Sequence, residues 1–328
     1  MIVRAQILAA LFLVASLAVA QIPQPDGGPV EPGTLPLTWQ TGGPNCMELP
    51  DWQIHEYNQD FYILRESGCT YYEKPFLYLI FGKTRALLVD TGAGPAQTRS
   101  IVDLVIKRWL ERNSRDSIPL VVAHSHAHGD HVAGDPQFRN VAGVTLVEPG
   151  VKSVQAAFGV RNWPQDIGSV DLGGRILDVV PLPGHQEAAV AFYDRKTGVV
   201  LSGDTFYPGR LYVADWVAYQ ASIQRLVDFT HGKVVTHFLG CHIEQARQPY
   251  REYPIGSIYQ PDEHSLSLER GQLLELNEAL KEIGDVPLRR AYPDFTIFPM
   301  NEEIGREMER IQKETTARQK SMQWSQPH

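Results

Sequence analysis

Four of the chain's eleven histidines stand within eight residues, in the stretch His124-Ser125-His126-Ala127-His128-Gly129-Asp130-His131. Imidazole nitrogens and carboxylate oxygens are good ligands for zinc and similar divalent ions. Alternate side chains on extended backbone share a face, but a shared face is not a shared metal. His126 and His128 need a tight turn to converge, and Gly129 permits one. Asp130 and His131 then face a second position beside the first. The order H-x-H-x-D-H therefore offers two adjacent metal positions. No Gly-x-Ser-x-Gly elbow offers a serine nucleophile instead.

Four further motifs accompany this stretch in order. They are Leu88-Val89-Asp90-Thr91-Gly92, Pro183-Gly184-His185, Leu201-Ser202-Gly203-Asp204-Thr205 and Leu239-Gly240-Cys241-His242. Together the five motifs resemble the metallo-β-lactamase fold superfamily, a group of mostly dinuclear metal-dependent hydrolases. The resemblance covers residues 85–242. It implies an α/β fold, an αββα sandwich of two mixed β-sheets flanked by helices. It further implies that His126, His128 and His185 hold a first metal. Asp130, His131 and His242 would hold a second, with Asp204 bridging the two. Asp90 would steady the metal loop by hydrogen bonds. Ser125 sits where such proteins commonly have Ser or Thr. By the same resemblance Asp130 is the catalytic residue that orients the attacking hydroxide. The cofactor is expected to be two divalent ions, zinc first, with iron or manganese as alternatives. Zinc β-lactamases of the best-known kind resemble this chain in their histidines but carry Cys, or no ligand, at the bridging position. Asp204 is shared instead with hydroxyacylglutathione hydrolases, lactonases, phosphodiesterases and alkylsulfatases. Dedicated β-lactam hydrolysis is thus disfavoured.

The elements that must position these residues are legible in part. Residues 61–65, 76–81 and 85–90 are short, apolar or aromatic runs bounded by Gly and Pro, and read as strands. Further strands are expected at 118–123, 143–148, 175–180, 189–194, 199–202 and 233–239. Helical spacing is present at 98–112. Asp215 is a plausible N-cap for a helix running to about 229. After Pro261 the pattern turns helical, with helices ahead of Ile283 and over 302–318. This divides the chain into a leader (1–20), a Pro/Gly-rich linker or arm (21–50), the hydrolase domain (51–260) and a C-terminal helical extension (261–328).

The leader has Arg4, an apolar run from Ile7 to Ala20 and the ending Ala18-Val19-Ala20. That is the pattern of a secretory signal cleaved after Ala20, and it implies a periplasmic or secreted protein. The run is too short for a bilayer span, so no stable membrane insertion is expected after cleavage. In an oxidising compartment Cys46 and Cys69 could pair, leaving Cys241 over. Lys and Arg total 30 against 38 Asp and Glu, a net charge of −8. This balance disfavours nucleic acid as a partner. The expected partner is a small-molecule substrate, an ester, lactone, thioester or amide. The alternatives are a phosphodiester, or metal binding with little turnover. Several other residues invite roles. His237 competes with His242 as the last ligand, and His124 and His264 stand near the motifs. Tyr207, with Tyr212 and Tyr219, could approach the metals. Glu244 and Cys241 adjoin His242.

Overall fold

The central strands are apolar on both faces because each sheet is covered twice. The structure, a computed structural model, describes residues 29–41 and 49–324. The leader and Cys46 lie outside the described residues. The first sheet has six strands in the order β1 (Trp52–Asn58), β2 (Phe61–Glu66), β3 (Phe76–Phe81), β4 (Ala86–Val89), β5 (Leu120–Ala123) and β6 (Val144–Leu146). β1 to β4 are antiparallel neighbours, and β4, β5 and β6 run parallel. The parallel pairs need crossovers. Helix α1 (Thr98–Arg112) supplies the first, and the short helix α2 (Gly129–Val132) lies in the second. Helix α3 (Val151–Phe158) then leads to the second sheet.

In the second sheet β7 (Gly168–Asp171), β8 (Ile176–Pro181), β9 (Val190–Asp194) and β10 (Val199–Gly203) form an antiparallel run. β12 (His237–Gly240) joins β10 in parallel, and β13 (Ser267–Leu268) completes the edge. Between β10 and β12 come β11 (Arg210–Val213) and helix α4 (Trp216–Thr230). Helix α5 (Arg270–Ile283) packs beside α4. Strand β14 (Arg290–Ala291) pairs with β15 (Thr296–Pro299), which pairs with β11, in a small third sheet, and α6 (Glu302–Trp324) follows.

The alternation along each strand sorts its side chains between layers. In β3, Phe76, Tyr78 and Ile80 enter the core between the sheets, with Leu177, Phe192 and Leu201 opposite. Leu77, Leu79 and Phe81 point the other way, onto Val102, Val105 and Trp109 of α1. In the second sheet Val180, Ala191, Tyr193, Val200 and Phe238 meet α4 and α5. The order of layers is therefore helix, sheet, sheet, helix, as expected.

Several elements differ from the expectation. Asp215 does cap α4, its carboxylate accepting the Ala218 amide at 3.0 Å. The strand expected over 233–239 is shorter and later, His237–Gly240. β1, β7, β11, α2 and α3 carry no clear local signal. The stretch after 261 is not simply helical, because it also contributes β13 to the second sheet and β14 and β15 to the third. β15 pairs with β11, more than eighty residues earlier, and no local periodicity encodes such a pairing.

Phe192 is wholly buried between the sheets. Phe192→Ala is expected to lower the unfolding free energy by about 3–5 kcal/mol. Leu274, on the exposed side of α5, should lose less than about 0.5 kcal/mol on the same change. Denaturant titration of both variants checks this, and equal losses would mean that the inter-sheet layer is not the main core.

Candidate metal centre

β4 and β5 run parallel in the first sheet, β8, β10 and β12 share one direction in the second, and the histidine and aspartate motifs lie just past their C-terminal ends. Asp90 follows β4, the histidine stretch follows β5, His185 follows β8, Asp204 follows β10 and His242 follows β12. Two glycines make the approach possible. Gly203 has φ +54, and a Cβ there would stand 2.8 Å from the Ser125 Cβ. Gly184 has φ +141 and packs directly on the Tyr219 backbone, 2.4 Å from where its Cβ would be.

Asp90 organises the inner layer of the site. Its own backbone is left-handed, φ +68, a conformation Asp tolerates better than most residues. Its carboxylate accepts the Ser125 amide at 2.7 Å, the Ser125 hydroxyl at 2.8 Å, His131 Nδ1 at 2.9 Å and the Cys241 thiol at 3.2 Å. The Ser125 hydroxyl, having donated to Asp90, accepts from His126 Nδ1 at 3.1 Å.

These contacts set the tautomers. His126 and His131 carry hydrogen on Nδ1 and turn Nε2 inward. His185 Nδ1 donates to the Tyr212 carbonyl at 2.8 Å, and His242 Nδ1 donates to the Glu73 carbonyl at 3.0 Å. Their Nε2 atoms also face inward. His126 Nε2, His185 Nε2 and His128 Nδ1 converge at 3.0–3.2 Å from one another. Beside them, His131 Nε2 and His242 Nε2 each lie 3.1 Å from Asp130 Oδ2. Asp204 spans the two groups. Its Oδ2 is 3.7 Å from His126, 3.6 Å from His185 and 3.5 Å from His131, and its Oδ1 is 3.5 Å from His242. Oδ1 is buried and has no hydrogen-bond partner among the described residues. Lone pairs aimed at one another, with a buried orphan oxygen between them, fit cations and not each other. Both groups have the composition and spacing to hold a metal ion. The third convergence, Asp90 with His131 and Cys241, does not fit one. There the carboxylate is already met by hydrogen-bond donors, and burial pushes the thiol up, keeping it protonated.

The charges agree with this division. Burial pushes His126 well below its ordinary range, His128 down to about 4, and His185 down as well. All three are neutral imidazoles with lone pairs available near pH 7. For His131 and His242 burial acts in the same sense, but the Asp130 and Asp204 carboxylates outweigh it and hold both well above the usual value. Asp130 and Asp204 are in turn held well below the carboxylate range, since the imidazoles overcome their burial.

The centre opens into a cavity of about 280 Å³. The expected ligands His128, Asp130, His185, Asp204 and His242 line one end, and His126 and His131 lie behind them, buried. Tyr207, Tyr212 and Glu244 also line it, together with residues the sequence did not single out, among them Tyr72, Glu73, Ile255, Met300 and Met308. Burial beside Asp130 pushes Glu73 up to about 8. None of these belongs to a readable motif.

The other candidates take structural positions. His237 begins β12 and packs its ring edge-on against Tyr57, away from the centre. His124 Nε2 meets Asp135 at 2.8 Å, and Asp135 also accepts from Thr91, which braces the turn around α2. His264 is bound to Asp294 at 3.1 Å and does not line the cavity. Tyr207 does line it, but its hydroxyl donates to the Arg210 carbonyl and lies 3.0 Å from Glu244. The Tyr219 hydroxyl donates to the Thr205 carbonyl at 2.7 Å. Glu244 pairs with Arg210 at 3.1 Å. Cys69 is disulfide-bonded and Cys241 is a free, buried thiol.

Two measurements test this geometry. Metal needs deprotonated nitrogen, and the Asp130 group holds its imidazole protons more tightly than the His128 group. Loading the metal-free chain at pH 7 should therefore release protons from His131 and His242, and uptake with no proton release would refute that protonation. Asp90→Asn should weaken metal binding about 10–100-fold, as read by competition with a chelator, because it disturbs the tautomer of His131 and the position of Ser125.

The family model of the metallo-beta-lactamase superfamily matches residues 74–278. Acyl-coenzyme A thioesterase MBLAC2 of Bos taurus is 26% identical over 244 residues, covering 60% of this chain and 83% of its own. A hydroxyacylglutathione hydrolase of Pseudomonas putida is 28% identical over 151 residues, covering 44% of this chain and 52% of its own. Among solved structures, a metallo-beta-lactamase from Pontibacter korlensis covers 70% of this chain and 99% of its own, at 18% identity and a TM-score of 0.46. The family match takes in more than half of the chain and every residue of both donor groups, so this chain belongs to the metallo-beta-lactamase superfamily.

Proposed function

We propose that this metal-dependent hydrolase works with two divalent ions, zinc in the first instance, on the carbonyl of a small ester, lactone, thioester or amide. The observation that carries the reading is the pair of lone-pair clusters joined by Asp204. His126, His128 and His185 would hold one ion, Asp130, His131 and His242 the other, and Asp204 both. Ions bound there would ionise a water near neutral pH and polarise the scissile carbonyl.

The protein's own residues would do the rest. Asp90, the Ser125 hydroxyl and the carbonyls of Tyr212 and Glu73 hold four imidazoles in the ligating tautomer, so little reorganisation is needed at the moment of reaction. Asp130 engages His131 and His242 through Oδ2, which leaves Oδ1 to accept a hydrogen bond from the attacking water. The relatives named as thioesterase and hydroxyacylglutathione hydrolase make a thioester the first bond to try.

We also propose that residues 1–20 direct export, with cleavage after Ala20. The sequence pattern supports this, and so does the disulfide at Cys69, which suits an oxidising compartment.

Zinc-loaded protein should turn over at least one member of a panel of thioester, lactone, simple ester and β-lactam. Asp204→Ala should lower that rate by about a hundredfold or more, since it removes the shared ligand. A rate confined to a phosphodiester would replace this reading with phosphodiester cleavage. A full metal load with no turnover on any class would replace it with metal binding alone.

A further inference from the structure

The cavity has two unlike sets of lining residues, the His and Asp donors and an apolar wall of Ile243, Pro254, Ile255, Met300 and Met308. Ile243 is buried beside His242. Pro254 and Ile255 belong to the loop after β12. Met300 follows β15, and Met308 projects from α6. Both methionines lie beyond the stretch that the family model matches, whereas Ile243, Pro254 and Ile255 lie within it.

The wall is firmly seated. Gln312 of α6 donates to the Tyr71 hydroxyl at 3.1 Å, and Gln319 donates to the Gly68 carbonyl at 2.7 Å. Thr315 is buried against Gly256, where a Cβ would come within 2.6 Å of the threonine hydroxyl. The two basic side chains that line the cavity are already engaged. Arg210 binds Glu244, Glu252 and the Tyr253 carbonyl. Lys74 Nζ donates to the carbonyls of Tyr72 and Ser257 at 2.6 and 2.7 Å. A negatively charged substituent would therefore find both cations occupied, whereas an aliphatic group would find an apolar surface.

Building on the hydrolase reading, we propose that Met300 and Met308, with Ile243 and Ile255, form the subsite for an uncharged aliphatic acyl group and set its length. Methionine suits such a wall, because its unbranched thioether adapts to chains of different length.

The test measures binding of straight-chain alkanoates of two to ten carbons, the product class, to zinc-loaded full chain by calorimetry. Affinity should rise about fourfold per methylene while the added carbons stay within the cavity and then level off. Met308→Trp should move the plateau to shorter acids and Met308→Ala to longer ones, each leaving acetate binding within about twofold. Affinity that does not depend on chain length overturns the proposal, as do variants that shift every acid equally. Turnover is not needed for this readout. Length-dependent binding without hydrolysis of any ester would keep the subsite and remove the hydrolase reading. Hydrolysis without length dependence would do the reverse.

Discussion

The Asp90 carboxylate is the fixed point of the molecule. It sits where β4 of the first sheet ends and accepts hydrogen bonds from Ser125 and His131, which follow β5, and from Cys241, which follows β12 of the second sheet. One side chain thus ties both halves of the sandwich together at the edge where the donors gather. A fully buried carboxylate is costly unless it is met by donors, and here the donors are residues of the site itself. The same bonds that satisfy Asp90 turn the reactive nitrogen of His131, and through Ser125 that of His126, toward the centre. Folding and preparation of the site are one event.

The wall of the cavity follows a second version of this rule. Arg65, Lys74 and Arg210 are all buried, and each holds the segment between residues 253 and 263. Arg65 grips Glu263 with two bonds of 2.5 and 2.6 Å, Lys74 takes the Ser257 carbonyl, and Arg210 takes that of Tyr253. Leaving any of these cations unpaired would be strongly unfavourable, so the loop has little freedom to move. The rigid loop gives α6 a surface to rest on. Metal chemistry and cavity shape are therefore set by different groups of buried charges, and a change in α6 can alter the cavity without touching the donors.

How much of this was legible depended on the range of the signal. The donors were readable because they come as short motifs at strand ends, each with a local reason: Gly129 beside His128, Gly184 before His185, Gly203 before Asp204. The strands that carry them were readable as apolar runs. His124 and His264 stand near the motifs in one dimension, yet each is held by a carboxylate outside them, Asp135 and Asp294. Tyr207 stands close to the centre, but its hydroxyl is taken by its neighbours Arg210 and Glu244. Glu73, Met300 and Met308 carried no signal, because membership of a cavity wall leaves no period or spacing in the sequence.

The sequence by itself determined the chemistry: which side chains can bind a cation, and which strand ends present them. Those properties live in residue types a few positions apart, where covalent geometry limits the outcomes. Tertiary structure alone decided the tautomers and the apolar wall of the cavity. Each of these depends on atoms brought together across dozens to hundreds of residues, as α6 is brought to the loop before β3. Burial and packing of the whole sandwich select such meetings, and no local pattern records them.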